Sequence, residues 1–343
     1  TAAFTGQASG MDMVLVGNAG NANDYGAGPS FPDYQWGGVD YLYAIGKYEV
    51  TTAQYTDFLN AVAQQDTYGL YHPNMHPGAT EASCGIRRSG SGTVGDPYSY
   101  VVDDIVYDNA GSRPASFVDF GDVLRFANWM HNGKPTTGTQ TLSTTEDGSY
   151  FVNGATSMAD LGTIAREPDA TWVIPTVDEW YKAAYHKNDG VTGNYYDYPT
   201  TSDAAPSHEL NPGNGNNATI YSQPFPPGGD YTIGAPHFRT EVGAHTASAS
   251  PYGTFDQGGN VTEWTEQILA GITTDRIGWG GAYNLGEVET SALHGHTYYN
   301  ATTESGSLGF RVAGVAGAAI PEPATAVLVV LGSAMMIRRR SLR

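Results

Sequence analysis

Helical periodicity is confined to three short stretches of this chain, and each stretch follows residues that suit a helix N-cap. A Thr or Asp stands before each apolar repeat, and two of them are followed three residues later by Gln or Glu, the capping-box pattern. The predicted caps are Thr51 with Gln54, Asp119, and Thr176 with Glu179, and the first two helices end near Ala63 and Gly133. With so few helices in a long chain, strands and loops must build most of the fold.

The remainder of the chain is punctuated by glycine and aromatic residues rather than by a regular repeat. Of the 343 residues in the chain, 44 are Gly and only 15% are charged. Glycine pairs allow tight turns, and no fixed period or long low-complexity linker divides the chain. The sequence therefore predicts one large, loop-rich α+β domain that is long enough to bury a full hydrophobic core.

Charge excludes one class of partner. The chain has 16 Lys and Arg against 35 Asp and Glu, a formal net charge of -19. A nucleic-acid-binding surface needs the opposite balance, so we expect no nucleic-acid partner.

The single cysteine, Cys84, cannot form an internal disulfide. It is followed by Arg87 and Arg88, whose charges could lower the thiol pKa and raise its reactivity. The alternative interpretation is a small buried residue without a chemical role.

The C-terminal segment has three parts in a fixed order. They are Pro321, Glu322 and Pro323, an apolar run over 324–337, and the basic residues Arg338, Arg339, Arg340 and Arg343. The apolar run is shorter than the about 20 residues of a standard span, and the Arg cluster favours the cytoplasmic side of a membrane. This order resembles the PEP-CTERM sorting signal of Gram-negative bacteria.

That resemblance implies a short C-terminal transmembrane helix and transient anchoring in the inner membrane. It also implies an exosortase-type processing enzyme as a partner and delivery to the outer cell surface or extracellular matrix. The alternative is an ordinary C-terminal anchor that happens to begin with Pro-Glu-Pro.

A series of short motifs occupies the body of the chain. In order they are Ile45-Gly46-Lys47-Tyr48-Glu49-Val50-Thr51, Phe126-Ala127-Asn128-Trp129, Ile174-Pro175-Thr176-Val177-Asp178-Glu179-Trp180, Gly259-Asn260-Val261-Thr262-Glu263-Trp264, Gly280-Gly281-Ala282-Tyr283 and Leu308-Gly309-Phe310-Arg311. Together they resemble the formylglycine-generating enzyme family, also called sulfatase-modifying factors. The resemblance implies a variant of the C-type lectin fold over residues 40–315, after an N-terminal extension or strand at 1–39 and before the sorting tail at 316–343.

Active members of that family oxidise a cysteine of a client sulfatase to formylglycine, with copper held by two active-site thiols. Those thiols lie between the Gly-Gly-Ser-Tyr-like and Leu-Gly-Phe-Arg motifs. Here the matching interval, from Asn284 to Ser307, contains no Cys. Soft thiolates select Cu(I), and one thiol cannot form a two-sulfur site, so copper is not expected.

The resemblance also implies structural calcium. The corresponding positions here are Asn260 and Glu263, with carbonyl oxygens from Gly259 and Val261, and oxygen ligands of this kind suit Ca²⁺. The alternative for Glu263 is a helix-capping carboxylate or one at the edge of the core.

A ligand cleft is predicted from Trp279 to Tyr299, a stretch that includes the Gly-Gly-Ala-Tyr motif. Its aromatic, imidazole and amide side chains suit stacking on sugars or peptides and pairing with hydroxyls. The predicted residues are Trp279, Tyr283, Asn284, His294, His296, Tyr298 and Tyr299. His294 and His296 could share a metal if both lay on one strand, since residues two apart point the same way; the alternative is a pair of polar loop residues.

The sequence as a whole predicts an exported cell-surface or matrix protein with a non-catalytic binding or structural domain. Its expected ligands are a surface polysaccharide, another glycan or a protein. The alternative is a metal-dependent oxidoreductase of the formylglycine-generating type, which the missing thiol pair disfavours.

Overall fold

The computed structural model describes residues 10–25, 35–104, 108–211, 213–222, 229–269 and 272–315. The predicted tail, including Pro321, Glu322, Pro323, the apolar run and the Arg cluster, lies outside these residues. Within the described ranges, no helix combines the length and apolar character that crossing a membrane requires.

The three predicted helices are confirmed, together with their caps. They are α1 (Thr52–Val62), α2 (Phe120–His131) and α4 (Val177–Tyr185), and a short helix that the sequence did not predict, α3 (Met158–Leu161), lies between the last two. Thr51 and Thr176 form capping boxes with Gln54 and Glu179. Asp119 forms a third with Asp122, so each helix start satisfies two backbone N–H groups.

Ten strands form three sheets in the described part of the chain. The strands are β1 (Met13–Val16), β2 (Tyr43–Gly46), β3 (Ile86–Ser89), β4 (Ser99–Val102), β5 (Trp172–Val173), β6 (Thr262–Leu269), β7 (Ile272–Trp279), β8 (His296–Asn300), β9 (Leu308–Gly309) and β10 (Ala313–Gly314). The sheet orders are β1-β2-β10-β5, β3-β4 and β8-β7-β6-β9. Only the β6–β9 pair is parallel among these, which confirms a mixed α+β architecture with few helices.

Aromatic side chains from α1, α2 and the segment after β9 meet in the main core. Phe126 lies at the centre, with ring centroids 5.3 Å from Phe58, 5.6 Å from Trp129 and 5.2 Å from Phe310. Each aromatic pair of this kind contributes about 0.5–1.5 kcal/mol beyond the area it buries. The core thus joins two predicted helices to the Leu-Gly-Phe-Arg motif.

A second cluster joins α4 to the end of β7. Trp180 and Tyr181 pack on Trp279 with centroid distances of 6.2 and 5.5 Å, and Trp36 packs on its other side at 6.2 Å. This packing places the Gly-Gly-Ala-Tyr motif next to the helix that follows Ile174-Pro175.

The segment before β2 is held to the domain through α4. Lys182 lies in the last turn of α4, where a cation suits the helix dipole, yet it is fully buried. Its Nζ donates to the carbonyl oxygens of Asn18 at 3.0 Å and Val39 at 3.5 Å. Burial lowers the pKa of Lys182 to about 8. The helix therefore uses a basic residue as an anchor for the N-terminal segment.

Candidate functional site

A buried ion pair connects four of the sequence motifs. Glu263 on β6 and Arg311 after β9 are both fully buried, and both carboxylate oxygens of Glu263 accept hydrogen bonds from the guanidinium. Trp180 Nε1 also donates to Glu263 Oε2 at 2.7 Å. Arg311 also donates from Nη1 to the carbonyl oxygen of Gly46 at 2.9 Å and from Nη2 to that of Phe255 at 3.0 Å. Bidentate geometry of this kind is the strongest that a carboxylate and a guanidinium can form.

Asn260 organises the backbone beside this pair. Its φ of 60° lies in the left-handed region, which Asn tolerates better than most residues. Its Oδ1 accepts from Thr240 N at 3.0 Å, and its Nδ2 donates to Glu49 Oε1 at 3.0 Å. Gly259 before it has a φ of 81°, and a Cβ there would lie 2.3 Å from the carbonyl oxygen of Thr219. Only glycine therefore fits at position 259.

The ion pair is surrounded by an excess of carboxylates. Glu49 and Asp256 both lie close enough to interact with Arg311 and Glu263. Burial raises the pKa of Glu49 well above its usual range, and burial raises the pKa of Asp256 to about 6. Burial and the neighbouring carboxylates therefore favour the protonated form of Glu49, whereas Glu263 is paired with Arg311.

As placed, Asn260 and Glu263 do not fit a calcium ion. Both Glu263 oxygens face a guanidinium, whose positive charge would repel a second cation. Asn260 Oδ1 already accepts from a backbone N–H, and Val261 is fully buried in the core. Calcium bound by Gly259, Asn260, Val261 and Glu263 stays a prediction, and the contacts agree with the core-carboxylate interpretation of Glu263.

The predicted cleft residues are divided between different surroundings. Trp279 on β7 pairs with His296 on β8, with ring centroids 5.3 Å apart, but only 1% of the Trp279 side chain is exposed. Tyr298 lies on the same face of the sheet and is 38% exposed. Tyr299 points to the opposite face, where its ring packs 5.7 Å from Trp264. Trp279 therefore belongs to the interior and Tyr299 is partly buried against the core on the other face, so the two do not line one open cleft.

The other predicted cleft residues lie outside the β8 strand. Tyr283 is buried against Phe238, with ring centroids 5.4 Å apart, whereas Asn284 and His294 are exposed. β8 begins at His296, so His294 lies in the preceding turn and the pair does not have the strand spacing that the sequence suggested. Burial lowers the pKa of His296, and the neighbouring His294 lowers it further. Across the described residues, no three His, Cys, Asp or Glu side chains are placed to hold a metal ion.

Cys84 is buried, as the second interpretation of its sequence context predicts. Its Sγ lies 3.8 Å from the carbonyl oxygen of Ser116, and burial raises the pKa of the thiol. Arg87 and Arg88 do not activate it, because they pair with Asp103 and Asp66 instead.

The structure nevertheless brings Cys84 near the end of the interval from Asn284 to Ser307. Phe117, next to the Ser116 carbonyl that Cys84 contacts, donates its N–H to Ser305 O at 2.9 Å. Separation along the chain concealed this proximity, although a single thiol still cannot form a pair.

An open pocket of about 400 Å³ lies at the C-terminal end of α2. It is lined by three acidic side chains, an imidazole, an amide and two largely exposed apolar side chains. No Lys or Arg is among the lining residues. The lining residues are His131, Asn132, Leu142, Asp147, Gly148, Phe151, Glu167 and Asp169. They come from three separate segments that share no motif, which is why sequence reasoning missed them.

Local hydrogen bonds fix the shape of this pocket. Asn132, the C-cap of α2, donates through Nδ2 to the carbonyl oxygens of Thr144 at 3.1 Å and Asp147 at 2.8 Å. His131 Nδ1 accepts from Thr171 N at 3.3 Å, so the proton of the neutral imidazole lies on Nε2. Phe151 is 51% exposed and Leu142 is 55% exposed, so two apolar side chains border the acidic residues of the pocket.

Comparison with known proteins identifies a family. A family model described as a sulfatase-modifying factor enzyme 1-like domain matches residues 9–316. No curated protein matches the chain.

Among solved structures, CarF is 17% identical with a TM-score of 0.49, covering 89% of this chain and 98% of its own. Treponema denticola variable protein 1 is 16% identical with a TM-score of 0.44, covering 88% of this chain and 94% of its own. PvdO from Pseudomonas aeruginosa is 14% identical with a TM-score of 0.44, covering 88% of this chain and 93% of its own.

Proposed function

The chain belongs to the sulfatase-modifying factor enzyme 1-like family, and from that membership we propose a non-catalytic binding and structural module of the cell surface or extracellular matrix. The observation that carries this proposal is the thiol content. The whole sequence has one cysteine, and Cys84 is buried with a raised thiol pKa. A two-thiolate copper site cannot be assembled from it.

The alternative is a metal-dependent oxidoreductase of the sulfatase-maturing type. It predicts oxygen uptake and conversion of a cysteine-containing sulfatase peptide to its formylglycine form, which peptide mass spectrometry detects. Cys84→Ser is the matched variant, because serine fits the same buried position. Turnover that this substitution abolishes would establish the enzyme and overturn the binding proposal; no turnover in either protein is the expected result.

The pocket at the end of α2 is the best-supported place for a ligand. Exposed faces of Phe151 and Leu142 offer apolar contact, and the carboxylates of Asp147, Glu167 and Asp169 offer acceptors for hydroxyl groups. Sugars present both kinds of surface, since one ring face is apolar and the rim carries hydroxyls. A surface polysaccharide or other glycan is therefore the ligand class that the pocket chemistry favours over a protein.

Two substitutions of exposed aromatic residues distinguish the pocket from the cleft that the sequence predicted. Phe151→Ala alters the pocket, and Tyr298→Ala alters the exposed part of the β7–β8 face. We expect Phe151→Ala to weaken binding to matrix polysaccharide about tenfold, the loss of one stacking contact, while Tyr298→Ala leaves it unchanged. If only Tyr298→Ala weakens binding, the ligand site lies in the cleft instead. If both variants bind as tightly as the native protein, only the structural role of the domain remains.

Export and surface sorting form a separate part of the proposal. The order of Pro321, Glu322 and Pro323, the apolar run and the Arg cluster supports an exosortase-type partner and a transient inner-membrane anchor. Cell fractionation and the mass of the mature chain test this part. Replacement of Pro321, Glu322 and Pro323 by alanine is expected to leave the uncleaved protein in the inner membrane, and normal release of that variant would refute the sorting signal.

A further inference from the structure

Three Asn-Gly pairs occur in the sequence, at 132–133, 153–154 and 214–215. In such a pair the backbone nitrogen of glycine can attack the side-chain carbonyl carbon of asparagine, because glycine has no side chain to hinder the approach. The reaction requires both the side-chain amide and the following N–H to leave their hydrogen bonds. The structure therefore determines which of the three pairs can react.

The first pair is held by its side chain. Asn132 Nδ2 donates to two carbonyl oxygens, those of Thr144 at 3.1 Å and Asp147 at 2.8 Å. The N–H of Gly133 donates to the carbonyl oxygen of Met130 at 3.1 Å. Attack would require the C-terminal turn of α2 to open.

The second pair is held by its backbone. The N–H of Gly154 donates to Glu146 Oε2 at 2.8 Å. Glu146 is itself buried and forms an ion pair with Arg125, at 2.8 Å between Oε1 and Nε. Although Asn153 is exposed, its neighbouring nitrogen is not available for attack.

The third pair lacks both restraints. Asn214 is exposed and lies between two glycines of positive φ, Gly213 at 85° and Gly215 at 74°. In the ranges that the structure covers, neither the Asn214 side chain nor the Gly215 N–H takes part in a hydrogen bond. Within the described part of the chain, no hydrogen bond has to break before Gly215 N approaches Asn214 Cγ.

We propose that Asn214 is a site of spontaneous self-modification in the folded protein. A bond forms between Gly215 N and Asn214 Cγ, the bond from Cγ to Nδ2 breaks, and ammonia leaves with the proton released by Gly215 N. Water then opens the resulting succinimide at either carbonyl, which gives aspartate or isoaspartate at position 214. No electrons are exchanged, and water is the only co-reactant. The step adds one negative charge, and isoaspartate also lengthens the backbone next to Gly215.

The test compares the three pairs within one sample. The full chain is incubated in mildly alkaline buffer, and peptide mass spectrometry with isoaspartate methyltransferase labelling follows each site. In the native protein we expect Asn214 to react about tenfold or more faster than Asn132 and Asn153, because those two need local opening first. In urea the three rates should converge, since all three sequences are then Asn-Gly in an unfolded chain.

Two results would overturn the proposal. One is native Asn132 or Asn153 reacting as fast as Asn214, and the other is an Asn214 rate that stays far below its rate in urea. Asn214→Gln is the matched variant, because glutamine keeps the amide but forms its cyclic imide much more slowly. It should remove the native product while leaving the unfolding transition unchanged.

Discussion

Replacing Arg311 by methionine removes the positive charge of the buried centre while keeping much of the side-chain volume. In the native protein its guanidinium pairs with both oxygens of Glu263 and donates to the carbonyl oxygens of Gly46 and Phe255. The substitution would leave Glu263 buried with Trp180 as its one remaining side-chain donor.

The magnitude follows from these contacts. Breaking a fully buried ion pair by removing one partner costs about 3–5 kcal/mol. Each of the two carbonyl oxygens that loses its donor adds about 1 kcal/mol, so we expect Arg311→Met to lower the free energy of unfolding by about 5–7 kcal/mol. A domain of ordinary stability has about 5–15 kcal/mol in total, so the variant should be close to unfolding.

Urea unfolding followed by tryptophan fluorescence measures the effect. The series comprises the native protein, Arg311→Met, Glu263→Gln and the double variant. Each single substitution leaves a buried partner without its ion pair. The double variant should therefore lose about 2–3 kcal/mol less free energy of unfolding than the two single variants lose together. Lys187→Met is the control, because both side chains of the Lys187–Asp203 ion pair reach solvent, at 31% and 57% exposure, and the pair should contribute under about 1 kcal/mol. An Arg311→Met loss as small as that of the control, or strict additivity, would refute the reasoning.

Three further outcomes follow from the same region and from the helix caps. Burial raises the pKa of Asp256 from 3.8 to about 6, so the folded state binds this proton more tightly and the associated stability is lost as pH rises through about 6. The melting temperature should therefore fall across that window, and less so in Asp256→Asn; an equal fall in both proteins would contradict the assignment. Because Glu263 faces Arg311, we expect EGTA to leave the melting temperature unchanged, whereas a decrease that added Ca²⁺ reverses would restore the calcium prediction. Thr176→Ala removes the acceptor for Glu179 N at 3.0 Å and should cost about 1 kcal/mol in urea unfolding, with no change expected for Thr163→Ala on the exposed surface.

Local signals predicted the elements that depend on local chemistry. The caps at Thr51, Asp119 and Thr176 were readable because a capping box needs only residues three apart. The ordered motifs predicted the family, and four of the six contribute a side chain to the same buried centre: Glu49, Trp180, Glu263 and Arg311.

Features that depend on contacts between residues far apart in the sequence could not be predicted from the sequence. Nothing in the sequence around Glu263 indicates that its partner is Arg311, 48 residues later, rather than a cation from solvent. The burial of Trp279 and Tyr299 follows from packing against α4 and Trp264, which strand alternation alone does not reveal. The pocket beside Phe151 depends on three segments whose approach is set by the tertiary fold.

The position of β10 bears on the synthesis of this protein. β10 is the last described element, yet it lies between β2 and β5 and pairs with both, through Ala313 opposite Ile45 and Val173. While Ala313 and Gly314 are still inside the ribosome, the nascent chain therefore lacks the strand that joins β2 to β5. Arg311, which completes the buried ion pair, is synthesised only two residues before Ala313. Stable folding must wait until the domain is almost fully translated, so the growing chain stays accessible to chaperones for a long interval.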